Sequence, residues 1–196
     1  MIHAPRRRRV AGLCRDIFRD ICMAVLLTGH AFAADVLNID VEQAGSRYAV
    51  EAEARFDVPA ARLRALLTDY THLDRINDAI RRSEVLAMTG PQQHRIRTEA
   101  WVCVGPFCKD IVQIQDVEVL AGGDILATLR PEGSNFRYGR AHWQFSTAPD
   151  GTRMRFRSEI EPAFWVPPFI GPWLIKRALQ AEALKSVANL ERLAEE

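Results

Sequence analysis

From Val50 to Val58 the chain alternates apolar and charged residues without a break. Val50, Ala52, Ala54, Phe56 and Val58 fall on one side of an extended backbone, and Glu51, Glu53, Arg55 and Asp57 on the other. Successive side chains of a strand point to opposite faces, so this pattern fits a sheet with one buried and one wet face. The period of two returns downstream. Ile96, Thr98, Ala100 and Val102 alternate with Arg95, Arg97, Glu99 and Trp101. Ala141, Trp143 and Phe145 share a face, and so do Met154, Phe156, Ser158 and Ile160, with Arg153, Arg155, Arg157, Glu159 and Glu161 opposite. Six consecutive strands are predicted after residue 80, over 82–88, 95–103, 111–120, 125–130, 138–147 and 152–161. Thr89-Gly90-Pro91, Ala121-Gly122-Gly123-Asp124 and Pro149-Asp150-Gly151 supply turns between them. The apolar phase slips near Gln115-Asp116, which predicts a β-bulge there.

Two segments depart from that period. Pro59 opens a helical pattern over residues 60–67, and "TDYTHLDRINDAI" (68–80) is dense in Asp, Asn and Thr, as short helical turns are. From about Pro168 to the end the period becomes 3.6. Ile175, Leu179, Ala183, Val187, Leu190 and Ala194 make one stripe, with Ala178, Ala181 and Ala188 widening it. Strand, short helices, strands and a long last helix, without βαβ alternation, specify an α+β fold with an antiparallel sheet. The last helix is the one element long enough to cover the apolar sheet face.

The N-terminus reads as an export signal. Arg6 to Arg9 give a positive segment, Ile21 to Leu27 an apolar one, and Ala31-Phe32-Ala33 a small-x-small cleavage site. The competing reading is a basic tail on a cytosolic protein. Cleavage near Ala33 leaves residues 34–196 as one domain, periplasmic or secreted. Residues 1–33 hold six arginines and two aspartates, so the remainder carries 20 basic and 23 acidic residues, a net charge of −3. A mildly acidic domain without a basic cluster is a poor nucleic-acid binder.

Cleavage also removes Cys14 and Cys22 and leaves Cys103-Val104-Gly105-Pro106-Phe107-Cys108. An oxidising compartment and an even count favour a structural disulfide across a Gly-Pro hairpin over free thiols or a redox or metal role. So small a loop contributes about 2 kcal/mol in the chain-entropy account.

Reactive constellations are scarce. His72, His94 and His142 lack metal-ligand spacing and read as surface or rim residues. Asp69, Asp74 and Asp78 read as caps and turn residues. No nucleophile elbow, P-loop or dinucleotide fingerprint is present, so the sequence points to no cofactor, no metal and no fixed catalytic set.

Four stretches carry a family resemblance: "FDVPAARLRALLTDYTHLDRINDAIRRSEVL" (56–86), "CKDIVQIQDVEVL" (108–120), "RPEGSNFRYGRAHWQF" (130–145) and "GTRMRFRSEIEPAFWVPPFIGPWLIKRALQAEALKSVANLERL" (151–193). In that order they resemble the START-like superfamily with the helix-grip fold, in particular its coenzyme-Q-binding and polyketide-cyclase-like branch. The resemblance implies a curved antiparallel sheet gripping the C-terminal helix, with two short helices after the first strand. It implies an elongated apolar cavity between sheet and helix, where family members bind lipids, quinones, sterols or polyketides and a few catalyse cyclisation or dehydration.

The residues assigned to that cavity are Phe56, Thr98, Ala100, Trp143, Phe145, Phe156 and Ser158, with Tyr138 or Arg140 at its rim. "EPAFWVPPFIGPW" (161–173) falls between the last strand and the closing helix. Pro162, Pro167 and Pro168 stop the strand, and Gly171-Pro172 breaks or kinks the first helical turn. Phe164, Trp165, Phe169 and Trp173 then cluster at the cavity mouth or under the helix. Three roles stay open for them: gating ligand entry, wedging the helix onto the sheet, or touching a membrane surface transiently during lipid exchange. The expected function is binding of a lipid, quinone or polyketide-like molecule by an exported carrier. A cyclase or dehydratase needs a positioned acid or base, and inward ionisable residues are few; a protein-interaction module built on the aromatic loop is the third class.

Overall fold

The computed structural model describes residues 35–166 and 172–196. The elements are β1 (Asp35–Ala44), β2 (Arg47–Phe56), α1 (Ala60–Leu67), β3 (Ile80–Gly90), β4 (Gln93–Val104), β5 (Phe107–Val119), β6 (Ile125–Arg130), β7 (Phe136–Ala148), β8 (Gly151–Pro162) and α2 (Pro172–Glu195). The strands form an open eight-stranded antiparallel sheet in the order β1-β2-β8-β7-β6-β5-β4-β3. A meander from β3 to β8 thus ends beside the N-terminal hairpin. This is the α+β helix-grip arrangement, with α2 lying against β1, β2 and β4 and against α1.

Register brings the alternating residues to one face. Ala54 pairs with Met154, Ala52 with Phe156 and Val50 with Ser158 across β2 and β8. Trp143 pairs with Phe156 and Phe145 with Met154 across β7 and β8. A strand offset by one residue would send this whole set to solvent, so the apolar pattern itself fixes the pairing. Phe56, Ala54, Leu63, Val187, Leu190 and Leu193 form a dry cluster between β2, α1 and the C-terminal half of α2.

The opposite face is a lattice of ion pairs. Arg157 binds Glu51 at 3.0 Å and Arg155 binds Glu53 at 3.0 Å, joining β8 to β2. Asp116 on β5 accepts from Arg95 on β4 at 2.7 Å and from Arg130 on β6 at 2.9 Å.

Several expectations are corrected. β1 was not anticipated, and the short helices follow the second strand rather than the first. Adjacent Val36 and Leu37, with a register shift between Val36 and Asn38, blur its alternation. The bulge expected at Gln115-Asp116 is absent, because β4 and β5 pair without a break from Gln93↔Glu118 to Val104↔Phe107. Irregularities fall instead in β1, β3 and β7. β3 runs through Gly90, and the turn sits at Pro91-Gln92. β2 stops at Phe56, leaving Val58 against the core as the chain turns into α1. Ala181 and Ala188 are exposed rather than on the covering face of α2. The 68–80 segment holds a single 3₁₀ turn, Leu73–Arg75. Pro167, Pro168, Phe169 and Gly171 lie outside the described residues, as do residues 1–33 with the export signal, Cys14 and Cys22.

The hairpin between β4 and β5 turns in two residues, Gly105 and Pro106. Gly105 takes φ +60°, the left-handed conformation a tight hairpin needs at its first turn position. The turn sets Cys103 opposite Cys108 with Cα atoms 4.0 Å apart, and a disulfide joins them.

Candidate ligand-binding site

Between the inner sheet face, α2 and the 68–80 segment lies a cavity of about 390 Å³. That is within the roughly 300–1,000 Å³ typical of small-molecule sites. Small residues make the room. Ala52 and Ala54 on β2, Ala127 on β6, Gly139 and Ala141 on β7 and Ala183 on α2 line it where larger side chains would fill it. Trp143 and Phe156 form an aromatic wall, with ring centroids 5.0 Å apart. From α2 come Leu179, Val187 and Leu190, members of the expected stripe, together with Glu182 and Ser186.

Of the residues assigned from sequence, Thr98, Trp143, Phe156 and Ser158 line the cavity. Phe56 faces inward but belongs to the dry core, at 1% exposure. Phe145 packs on both neighbouring clusters beneath the Arg64 guanidinium and is not part of the lining. Ala100 sits on the inner face between Ile80 and Ile111, beyond the cavity. Phe164 packs edge-on against Phe136, centroids 6.2 Å apart, with the Lys109 ammonium over its ring. Trp165 and Trp173 are 73% and 67% exposed, away from the lining, and Arg177 stacks over Trp173. Phe169 lies outside the described residues. The rim candidates also separate. Arg140 borders the cavity, but it alternates with inward Gly139 and Ala141, so its side chain joins His142 and Arg157 on an outer groove. Tyr138 is stacked under Arg47 at 4.4 Å.

The histidines and aspartates are mostly structural. His72 Nδ1 lies 2.9 Å from Asp69, and this hydrogen bond holds the Asp69 carboxyl below its usual range. Asp78 accepts from Asn189 on α2. His142 approaches Asp124 at 3.4 Å. His94, expected at the surface or rim, instead shares the inner face of β4 with Ile96 and Thr98, and its ring tilts against Tyr70 at 5.1 Å.

Polar cavity residues missed from sequence include Tyr70, Gln113 and Gln115, besides Asn77, Glu182 and Ser186. Tyr70 follows α1, is 6% exposed, and lines the cavity. Its phenol oxygen is buried and has no hydrogen-bond partner among the described residues. Such a group costs about 1–3 kcal/mol while unsatisfied. Burial pushes the Tyr70 pKa up, so the phenol stays protonated and able to donate at neutral pH. Gln113 and Gln115 alternate with Val112, Ile114 and Asp116, and face inward with Ile111 and Val117. The signal was present as strict period-two spacing from Ile111 to Val117, but a polar pair at inward positions reads as a slipped phase.

Solved structures share this fold. A protein from Thermus thermophilus is 22% identical, with 75% of this chain and 97% of that chain covered and a TM-score of 0.64. The Zhui aromatase/cyclase from Streptomyces sp. R1128 is 13% identical over 76% of this chain and 94% of its own, TM-score 0.62. A STAR-related lipid transfer protein from Xanthomonas axonopodis is 14% identical over 79% and 98%, TM-score 0.57. No curated protein matches the chain. At such identities the likeness shows the fold. The family model for polyketide cyclases, dehydrases and lipid transport proteins matches residues 47–195, which take in every strand after β1 and both helices, and the chain belongs to that START-like family.

Proposed function

We propose that the protein binds a lipid or isoprenoid quinone between the sheet and α2, and serves as an exported carrier that shields it from water. The observation that carries this reading is the cavity itself: 390 Å³ of space lined mainly by apolar side chains in a fold whose family includes lipid transport proteins. Each Å² of apolar ligand surface removed from water contributes about 25 cal/mol. Among the described residues, the ionisable side chains bordering the cavity are Tyr70, Arg140 and Glu182. Arg140 belongs to the outer face and Glu182 is paired with Lys185 at 3.0 Å. That leaves Tyr70 as the ionisable group directed inward among the described lining residues, with the His94 ring beside it at 5.1 Å but outside the lining, which supports sequestration over turnover. Export rests on the basic, apolar and small-residue pattern of residues 1–33.

The test is native mass spectrometry of the protein taken from the periplasm without detergent. The expected result is a mass lacking about 33 residues, with one lipid or quinone released on activation. A ligand-free mass, persisting after phospholipids and quinones have both been offered, rejects the carrier reading.

A further inference from the structure

We infer that Tyr70, Thr98, Gln113 and Gln115 form a hydrogen-bonding track along one wall of the cavity, selecting an uncharged ligand that carries carbonyl or similar acceptor oxygens. The inference rests on the proposed binding function and names the class of molecule it takes.

Position is the first argument. Thr98 and Gln113 are directly opposed across β4 and β5, and Gln115 opposes Ile96 one inward row along. Inward rows are about 7 Å apart, two residues of strand. Tyr70 belongs to one buried cluster with Ile96 and Val117, the inward neighbours of Gln115 in the sheet. Thr98, Gln113 and Gln115 therefore follow one another along β4 and β5 with Tyr70 beside them, and Trp143 and Phe156 line the same cavity from β7 and β8.

Availability is the second argument. Thr98, Gln113 and Gln115 make no side-chain hydrogen bond to another described residue. The Tyr70 oxygen is buried and likewise unpartnered. A cavity meant only for hydrocarbon would carry Phe, Val or Leu at these sites, because unpaired polar groups weaken both folding and apolar binding. The side chains offer hydroxyl and amide N–H donors, which suit ligand oxygens that accept.

Charge is the third argument. Among the described lining residues the one Lys or Arg is Arg140, and it belongs to the outer face. A carboxylate or phosphate inside would lack the ion partner that buried charge requires. Neutral oxygens face no such penalty.

The test uses three probes of similar size on the full chain, by equilibrium dialysis: duroquinone, durene and 2,4,6-trimethylbenzoate. Duroquinone is durene with its two ring C–H groups replaced by carbonyls, and its fully methylated ring resists addition by thiols. Duroquinone is expected to bind about tenfold tighter than durene, the worth of one to two net hydrogen bonds, and the carboxylate weakest. Tyr70→Phe, and separately the double change Gln113→Leu with Gln115→Leu, should shrink the duroquinone-to-durene ratio towards one. Thermal melts establish that each variant is folded, and the two variants change different elements. Equal binding of duroquinone and durene by the unaltered protein overturns the track and leaves the apolar cavity standing. Tightest binding of the carboxylate overturns the neutral-ligand class. Binding of none of the three overturns the track and the cavity reading together.

Discussion

Tyr70 and Thr152 are both buried and carry hydroxyls, yet they predict opposite responses to losing one. Thr152 is 2% exposed and donates to the Val58 carbonyl at 2.7 Å, tying the start of β8 to the turn between β2 and α1. Thr152→Val leaves that carbonyl without its donor and is expected to cost about 1–3 kcal/mol. The Tyr70 phenol has no partner to lose among the described residues. Tyr70→Phe should leave the ligand-free protein equally stable or more stable by up to about 1 kcal/mol, a rise of roughly 2–4 °C at this size. Differential scanning calorimetry of the ligand-free protein reads both. A drop of several degrees for Tyr70→Phe would show that the oxygen is already satisfied, and the reason for placing a ligand against it would go.

At the scale of elements, α2 is held as a lid on the sheet by polar ties as well as by its apolar stripe. Arg62 on α1 donates to the Leu193 and Ala194 carbonyls at 2.9 and 3.3 Å, satisfying acceptors that a helix C-terminus leaves open. Asn189 reaches the Ile76 carbonyl, and Lys176 reaches Asp40 on β1. Arg62→Ala is expected to cost about 1 kcal/mol and to speed amide hydrogen exchange over residues 190–195 more than over β7 and β8. Uniform acceleration across the molecule would mean that Arg62 matters globally rather than as a cap. The elements themselves were unevenly legible. β2, β4, β7, β8 and α1 announce themselves because one face is largely polar and the other largely apolar, so that a single period accounts for most of their residues. β1 hides because its bulge puts Val36 and Leu37 side by side. The inward face of β5 was misread because the cavity wants polarity where a solid core would not. Ala181 and Ala188 were misassigned because alanine carries no polarity signal, while Glu182 and Ser186 face the cavity from the same helix. The candidate site therefore reads correctly where it is apolar and poorly where ligand chemistry departs from core chemistry.

Across the whole molecule, the two sheet faces answer to different solution conditions. The cavity face depends on apolar burial, which changes little with pH. The outer face depends on carboxylates. Hydrogen bonds from Arg95, and then Arg130, hold the Asp116 carboxyl below its ordinary range. Arg47 and then Ser46 do the same for Glu161, at the far end of the sheet. A carboxylate whose folded pKa is depressed stabilises the fold fully above its unfolded pKa, about 3.9 for Asp, and that contribution fades as pH falls through the lower folded value. The contribution of these carboxylates is therefore expected to be complete above about pH 5 and to decline below about pH 4. Because these pairs are solvated, added salt should weaken them. Asp116 ties three strands together, so it is the place to test this. Asp116→Asn should be less stable than the parent at neutral pH, and the gap should narrow as pH falls through the lowered value of the parent carboxyl, where it is protonating too. Urea unfolding at each pH measures that gap. A gap independent of pH would mean that the aspartate acts through shape and hydrogen bonding alone, and that the charge on β5 contributes nothing to holding β4 and β6 beside it.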